Sequence, residues 1–96
     1  MAAYLIVDTL IHDADLYEQY RSKARPLLEK FGGKFLARGG HMTLRETDLW
    51  SPTRLVLITF PDAETANRYL DSFEYQQILT ISKRSARRTA VVFEGE

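Results

Sequence analysis

The chain has 96 residues, no cysteine, and thirteen Lys or Arg against thirteen Asp or Glu, so its formal net charge is zero. This length suits one domain spanning residues 1–96, and the lack of cysteine excludes disulfides, thiolate catalysis and cysteine-bound metals. Balanced charge argues against nucleic-acid and membrane partners, and with neither a signal peptide nor an apolar stretch of ~20 residues the expected location is cytoplasmic.

The first third of the chain predicts a strand, a helix and a second strand. Tyr4–Leu10 is rich in β-branched and aromatic residues, which is typical of a strand. Asp13 can cap a helix whose apolar residues recur at helical spacing as far as Phe31. Pro26 falls inside this helix, where it should cause a kink or a short break. Lys34–Arg38 then predicts a second strand.

The rest of the chain predicts two more strands around a second helical region. Gly39-Gly40 indicates a bulge or tight turn, followed by an irregular extension over His41–Glu46. Arg54–Phe60 is the clearest strand pattern in the sequence. A helix should follow, and Ser72 indicates that it restarts there with a fresh cap. Thr89–Glu94 predicts the last strand.

This element order, β-α-β-β-α-β, predicts an α+β ferredoxin-like fold, in which an antiparallel sheet carries two helices on one face. The third strand alternates Leu55 and Leu57 with Val56 and Ile58, so both of its faces are apolar. Because helices cover only one face, a second copy of the sheet should cover the other. We therefore expect a homodimer with a shared core, a dimeric α/β barrel; the alternative is a monomer with an exposed apolar patch.

Several stretches together resemble one uncharacterised family, called domain of unknown function 1330. They are Tyr17-x-x-Tyr20, Phe31–Gly40, Arg54–Pro61, and Ser72-x-Glu74-Tyr75-Gln76 followed by Arg84. The resemblance implies membership of the dimeric α/β-barrel superfamily, whose members include cofactor-independent monooxygenases, lactone isomerases, haem-degrading enzymes and ligand-sensing domains. The chain departs from the family at Leu70, where members often have tyrosine, and this puts any chemistry of that hydroxyl in doubt.

Arg38 is the sharpest candidate for ligand binding. Its guanidinium offers a fixed fork of donors, and the glycines beside it would let backbone N–H groups approach an anion. The pattern alone favours a plainer alternative, in which Gly39-Gly40 forms a bulge and Arg38 makes an ion pair or faces solvent.

Three further residues are candidates for a ligand pocket between the sheet and the helices. Tyr17 and Tyr20 have hydroxyls that need partners when buried. His41 could move a proton near neutral pH, although no partner that would orient it is evident and an exposed histidine is the alternative. No spacing predicts a metal site or a cofactor, and the basic residues 83–88 are explained as charges at a helix C-terminus.

The sequence thus predicts a dimer that binds a small molecule, anionic or aromatic, in this pocket. One hypothesis is a cofactor-independent enzyme resembling a monooxygenase or an isomerase, with Arg38 holding an anionic group and Tyr17 or His41 acting on the substrate. The alternative is a non-catalytic ligand-sensing or stress-related dimer.

Overall fold

A computed structural model describes residues 1–95 as four antiparallel strands and three helices. The elements are β1 (Ala3–Ile11), α1 (Ala14–Lys30), β2 (Lys34–Arg38), β3 (Leu55–Phe60), α2 (Ala63–Asp71), α3 (Phe73–Ser85) and β4 (Ala86–Glu94). The strand order in the sheet is β2-β3-β1-β4, which places the two most apolar strands, β1 and β3, at the centre. The predicted α+β class with an antiparallel sheet is confirmed. None of the helices within residues 1–95 has the length and apolar character of a membrane span.

Side-chain caps start the helices where the sequence predicts them. The Asp13 carboxylate accepts a hydrogen bond from the N–H of Leu16 at 3.0 Å. Ser72 ends α2 and also caps α3, because its hydroxyl accepts a bond from the N–H of Tyr75 at 3.1 Å. The helical region after β3 is therefore two helices, as the second cap predicted.

Helix α1 runs without a break through Pro26, contrary to the interruption that the sequence suggested. A proline in a helix removes one N–H donor and leaves the carbonyl four residues earlier without its helical partner. That carbonyl belongs to Ser22, and both residues border a cavity rather than close-packed side chains. Both residues are exposed, so the carbonyl of Ser22 can be hydrated by solvent.

The irregularity in β2 lies earlier than predicted. The pairing of β2 with β3 shifts register between Phe35 and Ala37, before the two glycines. Gly39 and Gly40 instead end the strand, with positive φ angles of 64° and 136° that favour glycine. Residues 39–54 then form a connection without regular secondary structure, so the predicted extension over 41–46 is not a strand.

Strand β4 begins at Ala86 rather than at Thr89, and this changes the place of two arginines. It pairs with β1 along its whole length, from Ala3 opposite Glu94 to Ile11 opposite Ala86. Arg87 and Arg88 therefore lie in the sheet and not at the end of a helix. Alternation along the strand directs Arg88 to the helix-covered face, together with Val92.

The two faces of the sheet are both apolar, as predicted. The helix-covered face contributes Leu5, Val7, Ile58 and Phe60 to the buried core. The helix-free face carries an apolar set that is only partly buried in the single chain; it comprises Tyr4, Ile6, Leu55, Leu57, Val91 and Phe93. Val91 and Phe93 are 47% and 46% exposed, so this face presents apolar side chains to its surroundings.

Asp8 ties the 39–54 connection to the helix-free face. Its carboxylate accepts three hydrogen bonds, from the indole Nε1 of Trp50 at 2.9 Å, the N–H of Thr53 at 2.8 Å and the N–H of Arg54 at 2.9 Å. Burial alone would raise the pKa of Asp8, but these donors outweigh it and hold the pKa below its ordinary 3.8. Asp8 is thus ionised near neutral pH.

Candidate functional site

A cavity of about 620 Å³ lies between α1 and the sheet. Helix α1 packs mainly against α3, which leaves space between α1 and strands β3 and β2. Side chains of the strands form an apolar floor from Val7, Val56 and Ile58, and Phe35 lies towards the edge. This is the pocket between sheet and helices that the sequence predicts for a small molecule.

Buried tyrosines form the inner wall of the cavity. The rings of Tyr17 and Tyr20 are 5.2 Å apart between centroids, and the hydroxyls of Tyr20 and Tyr75 share a 2.8 Å hydrogen bond. Tyr69 packs on Tyr75 with a centroid distance of 4.7 Å. Burial raises the pKa of Tyr20 and of Tyr69 well above the ordinary 10.0, although Arg88 opposes the rise. Both hydroxyls are therefore protonated at physiological pH and can donate hydrogen bonds but cannot act as bases.

Arg88 reaches from β4 into this wall. Its Nη1 donates to Ser82 Oγ at 2.6 Å and makes a longer contact of 3.4 Å with the Tyr75 hydroxyl, while its Cζ lies 5.0 Å from the Tyr20 ring centroid. Burial lowers the pKa of Arg88, but its interactions with Tyr20, Tyr75 and Tyr17 outweigh this effect and raise the pKa, so the guanidinium is charged at physiological pH.

The guanidinium of Arg88 has no ion-pair partner in the described part of the chain. None of the ion pairs among residues 1–95 involves Arg88, and its Nε is buried without a hydrogen-bond partner. A buried charge without a counter-charge costs free energy unless something compensates it. An anion in the cavity would supply both the missing charge and the missing acceptor.

The rim of the cavity adds more positive charge. Four arginines line it, of which Arg21 is paired with Glu18 and Arg25 with Glu29, so the charge added at the rim is that of Arg38 and Arg54. Arg38 lies with its Cζ 5.0 Å from the Phe35 ring centroid. Because the arginines outnumber the carboxylates, the electrostatic potential of the cavity favours anions.

Gly39 serves this rim differently from the way the sequence suggested. Its N–H donates to the carbonyl of Leu55 at 2.8 Å, so it is not free to bind an anion. A Cβ at Gly39 would lie 2.9 Å from Arg54 Nε and 3.1 Å from its Cζ. The missing side chain therefore makes room for the Arg54 guanidinium.

The structure brings together three of the four predicted site residues. Arg38, Tyr17 and Tyr20 all line the cavity, whereas His41 is exposed on the 39–54 connection and does not. Sequence reasoning missed Arg88, because the basic residues 83–88 are explained there as charges at a helix C-terminus. Alternation of the last strand extended back to Ala86 would have placed it on the covered face.

No metal centre is evident in the described part of the chain. Within residues 1–95 no three His, Cys, Asp or Glu side chains come close enough to hold a metal ion. His12, Asp13 and Asp15, which lie together in sequence, do not form such a group, and the Asp13 carboxylate is engaged as a helix cap.

Solved structures share this fold at low sequence identity. A protein of unknown function from Rhodopseudomonas palustris matches with a TM-score of 0.76 at 12% identity, over 99% of this chain and 82% of that chain. SnoaB, a cofactor-independent oxygenase from Streptomyces nogalater, matches with a TM-score of 0.68 at 15% identity, over 99% and 93%. A dimeric ferredoxin-like protein of unknown function from Jannaschia sp. CCS1 matches with a TM-score of 0.66 at 16% identity, over 99% and 100%.

These likenesses establish the fold alone, because their identities are low. No curated protein matches the chain. The family model described as domain of unknown function (DUF1330) matches residues 2–96, almost the whole chain. This confirms the resemblance seen in the sequence motifs, and the chain belongs to that family.

Proposed function

We propose that the protein binds a small anionic molecule with an aromatic part in the cavity between α1 and the sheet. The observation that carries this proposal is Arg88, a partly buried arginine with a fully buried Nε, which lines the cavity without an ion-pair partner among residues 1–95. Such a charge is compensated when an anion binds and makes charge-assisted hydrogen bonds to it.

The walls of the cavity favour a ligand with an aromatic ring. Tyr17 and Tyr20 offer ring surfaces on one side, and Phe35 lies on the other, above the apolar floor. A ligand ring that packs on these side chains would be stabilised by aromatic pairing in addition to the burial of its apolar surface. A volume of about 620 Å³ lies within the range of small-molecule sites. In a ligand with a carboxylate at one end of an aromatic ring, the carboxylate would pair with Arg88 and the ring would pack against the aromatic walls.

We propose that the working form is a homodimer. The helix-free face exposes Val91 and Phe93, and burial of this face against a second copy would remove apolar surface from water. A dimeric ferredoxin-like relative in fold supports this arrangement. The cavity lies on the opposite, helix-covered side of the sheet, so each protomer would keep its own site.

A cofactor-independent enzyme of the monooxygenase or isomerase type is a second candidate. The observation that favours it is the pair of hydroxyls on Tyr20 and Tyr75 beside Arg88, because neutral hydroxyls next to a cation can stabilise an oxyanion formed on a substrate. SnoaB, a cofactor-independent oxygenase, has the same fold. A non-catalytic ligand-sensing or stress-related dimer would need only the binding step; conversion of a bound ligand without added cofactor distinguishes the two.

Calorimetric titration with benzoate and with neutral benzamide tests the binding proposal. We expect benzoate to bind and benzamide to bind far more weakly, since the two differ in charge at almost equal size. Arg88→Met should weaken benzoate binding roughly 10- to 150-fold, the equivalent of one charged hydrogen bond of about 1.5–3 kcal/mol.

Arg84→Met is the matched control, because Arg84 is exposed on α3 and does not line the cavity. It should bind benzoate like the unaltered protein. Equal benzoate affinity in the Arg88→Met variant, or no binding of any aromatic carboxylate by the unaltered protein, would contradict the proposed function.

A further inference from the structure

Arg88 and Arg54 occupy one transverse row of the sheet, with Thr9 between them. Arg88 on β4 is the register partner of Thr9 on β1. On its other side, the N–H of Thr9 donates to the carbonyl of Arg54 at 3.0 Å. Neighbouring strands lie about 4.8 Å apart, so the backbones of the two arginines are roughly 10 Å apart. Both arginine side chains line the same cavity.

This row contains two buried polar atoms that lack partners. The hydroxyl of Thr9, a residue 1% exposed, makes no hydrogen bond with residues 1–95, and neither does Arg88 Nε. Buried polar groups are nearly always paired, so the unpaired Nε of Arg88 points to a partner outside the chain. Arg88 lines the cavity, where a ligand can reach its guanidinium, whereas Thr9 shares the helix-covered side but is not among the lining residues.

Arg38 adds a second cation at the Arg54 end of the cavity. Arg38 is the register partner of Val56 on β3, and Val56 lies two residues after Arg54, on the same face of the sheet. Neither Arg38 nor Arg54 belongs to any ion pair formed within residues 1–95. Positive charge is therefore uncompensated at both ends of the cavity, at Arg88 inside and at Arg54 with Arg38 at the rim, and apolar side chains lie between.

We infer that the ligand is a dianion with its two acidic groups at opposite ends of an apolar or aromatic body, as in an aromatic dicarboxylate. One acidic group meets Arg88 and the tyrosine hydroxyls, and the other meets Arg54 and Arg38. The body lies over Val7, Val56 and Ile58, the floor between the two ends. This inference rests on the proposed function and specifies the chemical class of its ligand.

Terephthalate and 4-methylbenzoate form a matched pair of probes, because they share a ring and a length but differ by one carboxylate. We expect the unaltered protein to bind terephthalate about ten-fold more tightly or better, the gain from one added charge-assisted hydrogen bond. Arg54→Met should reduce this difference, because it should weaken terephthalate binding more than 4-methylbenzoate binding, while Arg38 still contributes charge at that end. Arg88→Met should weaken the binding of both probes, and the exposed Arg84→Met should alter neither.

The outcomes separate the two proposals. The dianion inference is wrong if the unaltered protein binds both probes with equal affinity, or if Arg54→Met weakens the binding of both equally. In either case, an affinity for 4-methylbenzoate that depends on Arg88 would still support the proposed function. If neither probe binds, both proposals fail. Inorganic phosphate, a compact dianion, is a third probe. If phosphate binds more tightly than terephthalate and its binding depends on Arg88 alone, the cavity has a single anion site and the inference of a ligand that reaches both ends is wrong.

Discussion

Removal of the Asp8 carboxylate should release the 39–54 connection from the helix-free face. Three donors converge on this carboxylate, the indole of Trp50 and the N–H groups of Thr53 and Arg54. Because the side chain is only partly buried, we assign each bond roughly 0.5–1 kcal/mol, so Asp8→Ala should lower the free energy of unfolding by about 2 kcal/mol. In a chain of this size the melting temperature should fall by about 10 °C.

Asp8→Asn separates the charge from the geometry. The Asn carbonyl oxygen can still accept from Thr53 and Arg54, but its amide group would face the Trp50 indole as a second donor. The cost should be about 1 kcal/mol, similar to that of Trp50→Phe, because both changes remove the same bond. In the Asn background, Trp50→Phe should then have almost no further effect, which a double-mutant cycle measures.

The assay is urea unfolding followed by the fluorescence of Trp50, the chain's one tryptophan, with circular dichroism for the Phe variants. All variants should be compared at one protomer concentration, since association contributes to apparent stability. In the folded Asp8→Ala variant, the emission should shift toward that of a hydrated indole, because Trp50 is 45% exposed in the present structure and loses its anchor. Unchanged stability together with unchanged emission would refute the role assigned to Asp8.

The same carboxylate should make stability depend on pH. Because the pKa of Asp8 is lower in the folded chain than its ordinary 3.8, protons bind preferentially to the unfolded chain. The contribution of Asp8 is therefore fully present above about pH 4 and is lost as the pH falls through the folded-state pKa. The stability difference between the unaltered protein and Asp8→Ala should shrink on going from neutral to acidic pH.

Other predictions address assembly, packing and alkaline pH. Val91→Lys places a charge on the helix-free face and should convert the proposed dimer to a monomer in sedimentation velocity. Phe73→Lys, at a 76% exposed position on the helical side, should leave it a dimer, and a dimeric Val91→Lys variant would contradict the proposed interface. Gly33→Ala should lower the free energy of unfolding by about 1–3 kcal/mol in urea, since the new Cβ would lie 2.8 Å from Leu28 Cγ. An unchanged unfolding midpoint would show that the neighbouring side chains can move to make room for it. Because burial raises the pKa of Tyr20, the contribution of Tyr20 to stability is present below pH 10.0 and is lost as the pH rises further. Tyr20→Phe should reduce this loss of stability at alkaline pH, and an identical loss in the variant would contradict the role assigned to Tyr20.

The sheet and its two apolar faces could be predicted because they follow from local alternation. In Leu55–Phe60 both alternating sets of side chains are largely apolar, so both faces of the strand could be predicted. The caps at Asp13 and Ser72 mark the starts of two helices within a few residues. These features depend on neighbours in sequence. The helix period also predicts that Tyr17 and Tyr20 lie on the apolar face of α1, whereas Arg38 was a candidate because of its guanidinium beside Gly39-Gly40.

Arg88 could not be placed in this way because its strand is defined by a distant partner. Residues 86–88 are Ala-Arg-Arg, which have little preference for a strand, and they follow a helix whose last turn is basic. Pairing with the end of β1, Ile11 opposite Ala86, extends the strand over them. Burial of Arg88 then depends on Ser82 and Tyr75 on α3, contacts that no sequence period reveals.

The pairing of β1 with β4 also bears on the order in which the protein can fold. The first strand to leave the ribosome is central in the sheet, yet one of its two edges stays open until the last strand is synthesised. Arg88 is part of β4, so a nascent chain can hold β1, α1 and the tyrosines of α1 before the proposed anion site is complete. Contacts between such distant segments slow folding. A ribosome-bound chain that lacks β4 also exposes an unpaired edge of β1, with which strands of neighbouring chains can pair.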